Sequence, residues 1–190
     1  MFENIRQDWV AHGCTWTRHG FWALVVYRFG NWRYGIRPRW LRMPFSFAYK
    51  LLKFFADSLL GIEIPCEAAI GRRFTIEHTG AIVISGDAVF GDDCVVRQGV
   101  TVGLRNRNRR GSPRIGNRVD IGAGAKLLGP IVIGDDVAIG ANAVVLCDVP
   151  DGCLAVGVPA VVKVRRAGGT RETDVHDTVG QAGLLCCPSW

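Results

Sequence analysis

The side chain best suited to chemistry in this chain is His78, in the stretch "FTIEHTGAIVI" at residues 74–84. It interrupts a run that otherwise alternates apolar and small residues. A neutral imidazole, with an unperturbed pKa of about 6.5, can take the proton of a hydroxyl as its oxygen attacks a carbonyl. A carboxylate on the other ring nitrogen would fix the tautomer and stabilise the imidazolium that forms. A histidine so placed can equally cap a turn or bond a neighbouring carbonyl and do nothing else, so the surrounding architecture decides. The other histidines, His12, His19 and His176, lie in the terminal segments. The seven cysteines are odd in number and show no CxxC spacing, which argues against a zinc site or a disulfide framework and for reduced thiols. No metal is expected.

The elements that must position His78 show a period of six. Residues 115, 121, 127, 133, 139 and 145 read Ile, Ile, Leu, Ile, Ile, Val, with glycine following at 116, 122, 134 and 140. Earlier runs keep the rhythm with phase slips: Ile64, Ile70, Ile76, Ile82, then Ile84, Phe90, Val96, Val102. An amphipathic helix does not give period six, and a hairpin sheet gives period two without this glycine register. The pattern predicts a coiled parallel sheet in which each six residues make one short strand and one turn. The aliphatic residue points inward, and stacked coils bury a continuous column. Three strands per coil make a triangular prism. The arginine-rich segment "RNRNRRGSPR", 105–114, carries five arginines and no acid and is expected to loop out.

Residues 1–60 differ in kind. Helical spacing of Phe21, Leu24, Val25 and Trp32, and of Phe45, Tyr49, Leu52, Phe55 and Leu59, predicts two helices broken near "YGIRPRW". They are open to three roles: packing on the prism, joining subunits, or lying on a membrane surface with arginines at the headgroups, residues 39–60 being the candidate contact. The expected organisation is a helical region at 1–60, a repeat domain at 61–166 with a loop at 104–114, and a poorly ordered tail at 167–190. No signal peptide or membrane span is evident, so a cytoplasmic location is expected, with the inner face of the membrane open. The formal net charge of +6 suits an anionic partner or simple solubility. No recognised nucleic-acid module accompanies the arginines, and no nucleic-acid partner is expected.

The segments "IPCEAAIGRRFTIEHTGAIVISGDAVFGDDCVVRQGVTVG", "PRIGNRVDIGAGAKLLGPIVIGDDVAIGANAVVLCDVP" and "GVPA" resemble the serine O-acetyltransferase family of hexapeptide-repeat acyltransferases. In style the chain is also similar to colanic-acid-type exopolysaccharide O-acetyltransferases. The resemblance implies a mainly β fold, a left-handed parallel β-helix with a short N-terminal α-helical region, usually a homotrimer with sites shared between subunits. It implies an acyl-CoA-dependent O-acyltransferase with acetyl-CoA as donor. His78 becomes the general base and Glu63, in "GIEIP", the acid that orients it, where the serine enzymes carry aspartate. Gly103, Ala123 and Ala141 are expected at matching turns along the pantetheine arm, and Lys126, Gly157, Pro159 and Lys163 toward the CoA end.

The pattern departs from the serine enzymes at "RRGSPRI". Ser112 and Gly111 stand where that family has a histidine and an arginine that help bind the amino acid. A serine ammonium and carboxylate need paired countercharges. Their loss shifts the expected acceptor to a sugar hydroxyl, with Arg97, Arg105 and Ser112 as candidate acceptor contacts. L-Serine remains the alternative, and the acyl chain length is open.

Overall fold

The computed structural model describes residues 1–106 and 111–165; the central arginines of the 104–114 loop and the 167–190 tail fall outside these. Helix α1 spans Phe2–Ala11, α2 His19–Arg33 and α3 Arg39–Phe55, the last continued by one π-helical turn, Ala56–Leu60. Gly61, in the left-handed region, ends that turn. Three helices stand where the apolar spacing predicts two. The missed one, α1, has a single buried residue, Asp8, so no apolar stripe announces it. The break between α2 and α3 falls where expected.

From Ile62 the chain winds as a left-handed parallel β-helix. Its first face holds β1 (Ile62–Glu63), β4 (Ile82–Ile84), β7 (Thr101–Gly103), β10 (Lys126–Leu128) and β13 (Val144–Val145). The second holds β2 (Ala69–Ile70), β5 (Val89–Phe90), β8 (Arg114–Ile115) and β11 (Val132–Ile133). The third holds β3 (Thr75–Ile76), β6 (Val95–Val96), β9 (Asp120–Ile121), β12 (Ala138–Ile139) and β14 (Cys153–Val156), and closes with β15 (Val161–Val164). All pairs are parallel except β14 with β15. The period-six residues are buried at every coil: Ile70, Ile76, Ile82, Phe90, Val96, Val102, Ile121, Leu127, Ile139 and Val145 all lie inside. Each such side chain contributes roughly 1.5–3 kcal/mol by leaving water.

What keeps the coils in register is the corner after the second face. A Cβ at Gly71 would lie 2.3 Å from the carbonyl oxygen of Gly91 in the next coil, so only glycine lets the coils stack there. One residue on, side chains tie the coils together. Asp92 accepts from the Arg72 N–H at 2.7 Å, Asn117 from Asp92 at 2.9 Å, Asp135 from Asn117 at 2.7 Å and Asp151 from Asp135 at 2.8 Å. At the following position, Arg73 pairs with Asp93 and Arg118 with Asp136.

The first coil would leave bare strand edges, and the helices cover them. Tyr27 Oη donates to the Ala68 carbonyl at 2.7 Å and accepts the Ile70 N–H at 3.1 Å. Arg28 donates to the carbonyls of Ile70 (2.8 Å) and Gly71 (2.5 Å) and pairs with buried Asp8 at 3.0 Å. Asp8 accepts from the Phe74 N–H at 3.3 Å, and His12 Nε2 from Ile76 at 3.2 Å. His12 Nδ1 lies 2.7 Å from the Asp8 carbonyl, which makes it the protonated nitrogen of a neutral ring. Among the described residues the thiols of Cys14, Cys66, Cys94 and Cys153 are free.

Removing one member of the buried pair strands the other. Asp8→Ala should lower stability by about 3–5 kcal/mol in denaturant unfolding. Burial lowers the pKa of His12 from its ordinary 6.5, outweighing the contrary pull of Asp8. The unfolded chain therefore binds the proton more readily, and stability should fall as pH drops below about 6.5. A thermal midpoint that declines between pH 7 and pH 5, and declines less in His12→Gln, would show this.

Candidate active site

The first face of the prism and its two edges collect nearly every residue singled out in the sequence. His78 follows β3 on the corner that leads from the third face to the first, and its side chain is exposed. On that corner Gly99 N–H donates to the Gly80 carbonyl, Gly124 to Gln98 and Asn142 to Ala123, each at 2.8 Å. Ala123 and Ala141 thus stack above the coil of His78. Over the same corner lies the β14–β15 turn, where the Val144 N–H donates to the Gly157 carbonyl at 3.0 Å and Pro159 follows a cis peptide bond. Lys163 is exposed on β15, opposite Leu154.

Glu63 is exposed on β1, and register places Val83, Thr101, Lys126 and Val144 above it in one column. Among the described residues no hydrogen bond or ion pair joins Glu63 to His78. Lys126 Nζ donates to the Gly99 carbonyl at 2.5 Å and to Thr101 Oγ1 at 3.0 Å, so its charge is held against the prism wall. Gly103 departs from the expectation of matching turns. It ends β7 opposite Leu128, at the far edge of the first face from Ala123 and Ala141. The difference arises because Gly103 ends a strand of the first face, level with Ser85 one coil below, whereas Ala123 and Ala141 follow strands of the third face. Beside Gly103 stand Ser85 and Ser112; the Ser112 hydroxyl is buried and donates to Ser85 at 2.9 Å. Arg105, half-buried, packs its stem on Gly129 at this edge.

Arg97 is already engaged. It pairs with Glu77 at 2.7 Å and with Asp120 in closer contact, joining three successive coils beside His78. These two carboxylates raise the guanidinium's pKa further, Asp120 foremost. Sequence reasoning missed Glu77 and Asp120 as its partners. For Glu77 the register gives the signal, since Ile76 pairs with Val96 and the next residues stack; Asp120 stands opposite Val95, and Arg97 reaches it diagonally. Among the described residues no group of three or more His, Cys, Asp or Glu is placed to hold a metal ion.

The arrangement is an exposed imidazole at the foot of a corner whose upper coils offer backbone groups beside small side chains.

Known proteins share the repeat and the fold of this chain. Residues 112–147 match the family model "Bacterial transferase hexapeptide (six repeats)". The chain is 46% identical over 169 residues to the putative colanic acid biosynthesis acetyltransferase WcaB of Escherichia coli (strain K12), covering 86% of this chain and 99% of that protein. It is 43% identical over 142 residues to the serine acetyltransferase of Helicobacter pylori (strain J99), covering 74% of this chain and 79% of that one. Against the serine acetyltransferase of Synechococcus elongatus it is 41% identical over 147 residues, and it spans only 57% of that enzyme's length. Among solved structures, the serine acetyltransferase of Brucella abortus strain S19 in complex with coenzyme A superposes with a TM-score of 0.75 at 27% identity, covering 87% of this chain and 68% of that one.

The ion pairs of Arg97 are partly exposed, so Arg97→Leu should cost only about 1 kcal/mol in global stability. It leaves Glu77 and Asp120 without the cation that links their coils. Amide hydrogen exchange at residues 77–80 should quicken by roughly fivefold, with the rest of the prism unchanged.

Proposed function

This chain belongs to the serine acetyltransferase-like hexapeptide-repeat transferases, and on that premise we propose that it moves an acetyl group from acetyl-CoA to a sugar hydroxyl in exopolysaccharide biosynthesis, with His78 as general base. The observation that carries the reading is the end-to-end likeness to the colanic acid protein. That likeness coincides with the loss of an amino-acid clamp: Gly111 brings no charge, and Ser112 is buried against Ser85.

In the proposed reaction the acceptor hydroxyl gives its proton to a ring nitrogen of His78 as its oxygen attacks the thioester carbonyl. The tetrahedral intermediate collapses by breaking the C–S bond. The imidazolium returns the proton to the departing thiolate, leaving the acetyl ester, free CoA and neutral His78. Glu63 turns to the other ring nitrogen as positive charge develops. The pantetheine arm lies along the Ala123–Ala141 corner, and Gly157, Pro159 and Lys163 meet the far end of CoA. Lys126 holds the wall behind the arm through Gly99 and Thr101.

The assembly proposed with it is the homotrimer that the family resemblance implies, and the place of the edges supports a site shared between subunits. Gly103 and the Ala123–Ala141 corner bound opposite sides of one face and do not meet within a chain. A groove between subunits would bring the corner of one against the Gly103 edge of the next, with Arg105 and Ser112 beside the acceptor. Arg97, held by Glu77 and Asp120, keeps part of its guanidinium exposed for an anionic sugar. The proposed location is the cytoplasm.

Serine acetylation is the second reading, favoured by the serine acetyltransferases among the relatives and the solved structures. The test follows thiol release from acetyl-CoA with exopolysaccharide repeat units and, separately, with L-serine. Turnover with the glycan is expected, and His78→Ala should lower it by about 10²–10⁴-fold. Efficient turnover with L-serine alone would replace the sugar reading by the second one.

A further inference from the structure

The outer side of α3 carries a surface that neither the prism nor the candidate site uses. Trp40, Met43, Phe47, Leu51 and Phe54 recur at spacings of three and four and form one stripe toward solvent. They are 74%, 70%, 73%, 49% and 64% exposed. The opposite side of the helix is occupied. Phe45 packs on Phe29 and Trp32, and the buried Tyr49 ring lies under the Arg33 guanidinium at 4.4 Å. The stripe is therefore presented by a helix already fixed in place.

Charge edges this stripe on one side. Arg39, Arg42, Lys50 and Lys53 follow one another along that flank, and Arg37 precedes them, while no Asp or Glu occurs between residues 34 and 56. Asp57, the first acid beyond, is taken by Lys53, whose Nζ lies 3.0 and 2.9 Å from its two oxygens. Among the described residues no helix is long and apolar enough to cross a membrane.

We propose that α3 is an interfacial anchor that lays its Trp40–Phe54 stripe on an anionic phospholipid surface. Large apolar rings enter the boundary between headgroups and acyl chains, while the flanking cations meet lipid phosphates. A second copy of this chain fits the stripe less well, because the helix offers no acid to receive the partner's arginines and lysines. A preformed helix loses little conformational freedom on docking. The anchor holds the prism at the bilayer whatever its acceptor is.

The experiment is flotation of the full chain with vesicles of phosphatidylcholine alone and of phosphatidylcholine mixed with phosphatidylglycerol. Binding to the anionic vesicles is expected to be about tenfold stronger or more, and to weaken with added salt. Phe47→Glu should reduce that binding at least about tenfold, with the circular dichroism and thermal midpoint of the parent. Arg39→Gln with Lys50→Gln should reduce binding to anionic vesicles and leave it unchanged on neutral ones. Absence of binding to the anionic vesicles, or equal binding by Phe47→Glu, overturns the proposal. So does a smaller assembly of Phe47→Glu in vesicle-free buffer, which assigns the stripe to a second copy.

Discussion

An open coil of parallel strands cannot end cleanly at its first turn, because backbone N–H and C=O groups there face nothing. In this chain a buried Asp8–Arg28 pair resolves that end. Arg28 gives its donors to two carbonyls and to Asp8, and Asp8 takes the Phe74 N–H in return. Each charge is out of water, so each is tolerable only while the other is present. The same contact makes one body of two structurally unlike regions. It ties α1 and α2 to the strands that lead directly into His78, and so the position of the imidazole is set partly by Arg28 and Asp8, 50 and 70 positions upstream.

Upward from that base, geometry is handed from coil to coil. The glycine corner permits close stacking, and the Asp92–Asn117–Asp135–Asp151 ladder joins the turns with hydrogen bonds that continue the axis of the prism. Because the register is kept, residues far apart in sequence reach one corner. His78, Ala123 and Ala141 meet there although more than forty residues separate the first two. The inserted loop after Gly103 interrupts only the opposite edge of the face, which leaves that corner regular.

Much of this was legible in the chain because period six is a direct imprint of the coil. The inward aliphatic column, the prism and the place of His78 follow from counting. Other features leave no periodic trace. Helix α1 buries only Asp8 and sets Trp9 edge-on against Phe21, too little for apolar spacing to announce it. Arg97 reads as a free cation in one dimension; its partners Glu77 and Asp120 become neighbours only when three coils are stacked. Lys126 likewise turns inward to Gly99 and Thr101, a choice set by local carbonyl geometry and not by residue type. Gly103 matched the small-residue rule yet lies at a different edge, since the rule records the need for a small side chain and not which corner needs it.

At the other end of the prism, the reversal between β14 and β15 has a consequence for solubility. Had the third face ended on a parallel strand, its edge would offer the same hydrogen-bonding template that each coil offers the next. Further chains could add to it end to end and grow a fibre. An antiparallel last strand changes the spacing of those groups, and its exposed Lys163 and the following Arg165 set like charges against any approaching copy. The hairpin thus serves as a terminator, keeping a shape made of stackable units from continuing beyond its own sequence.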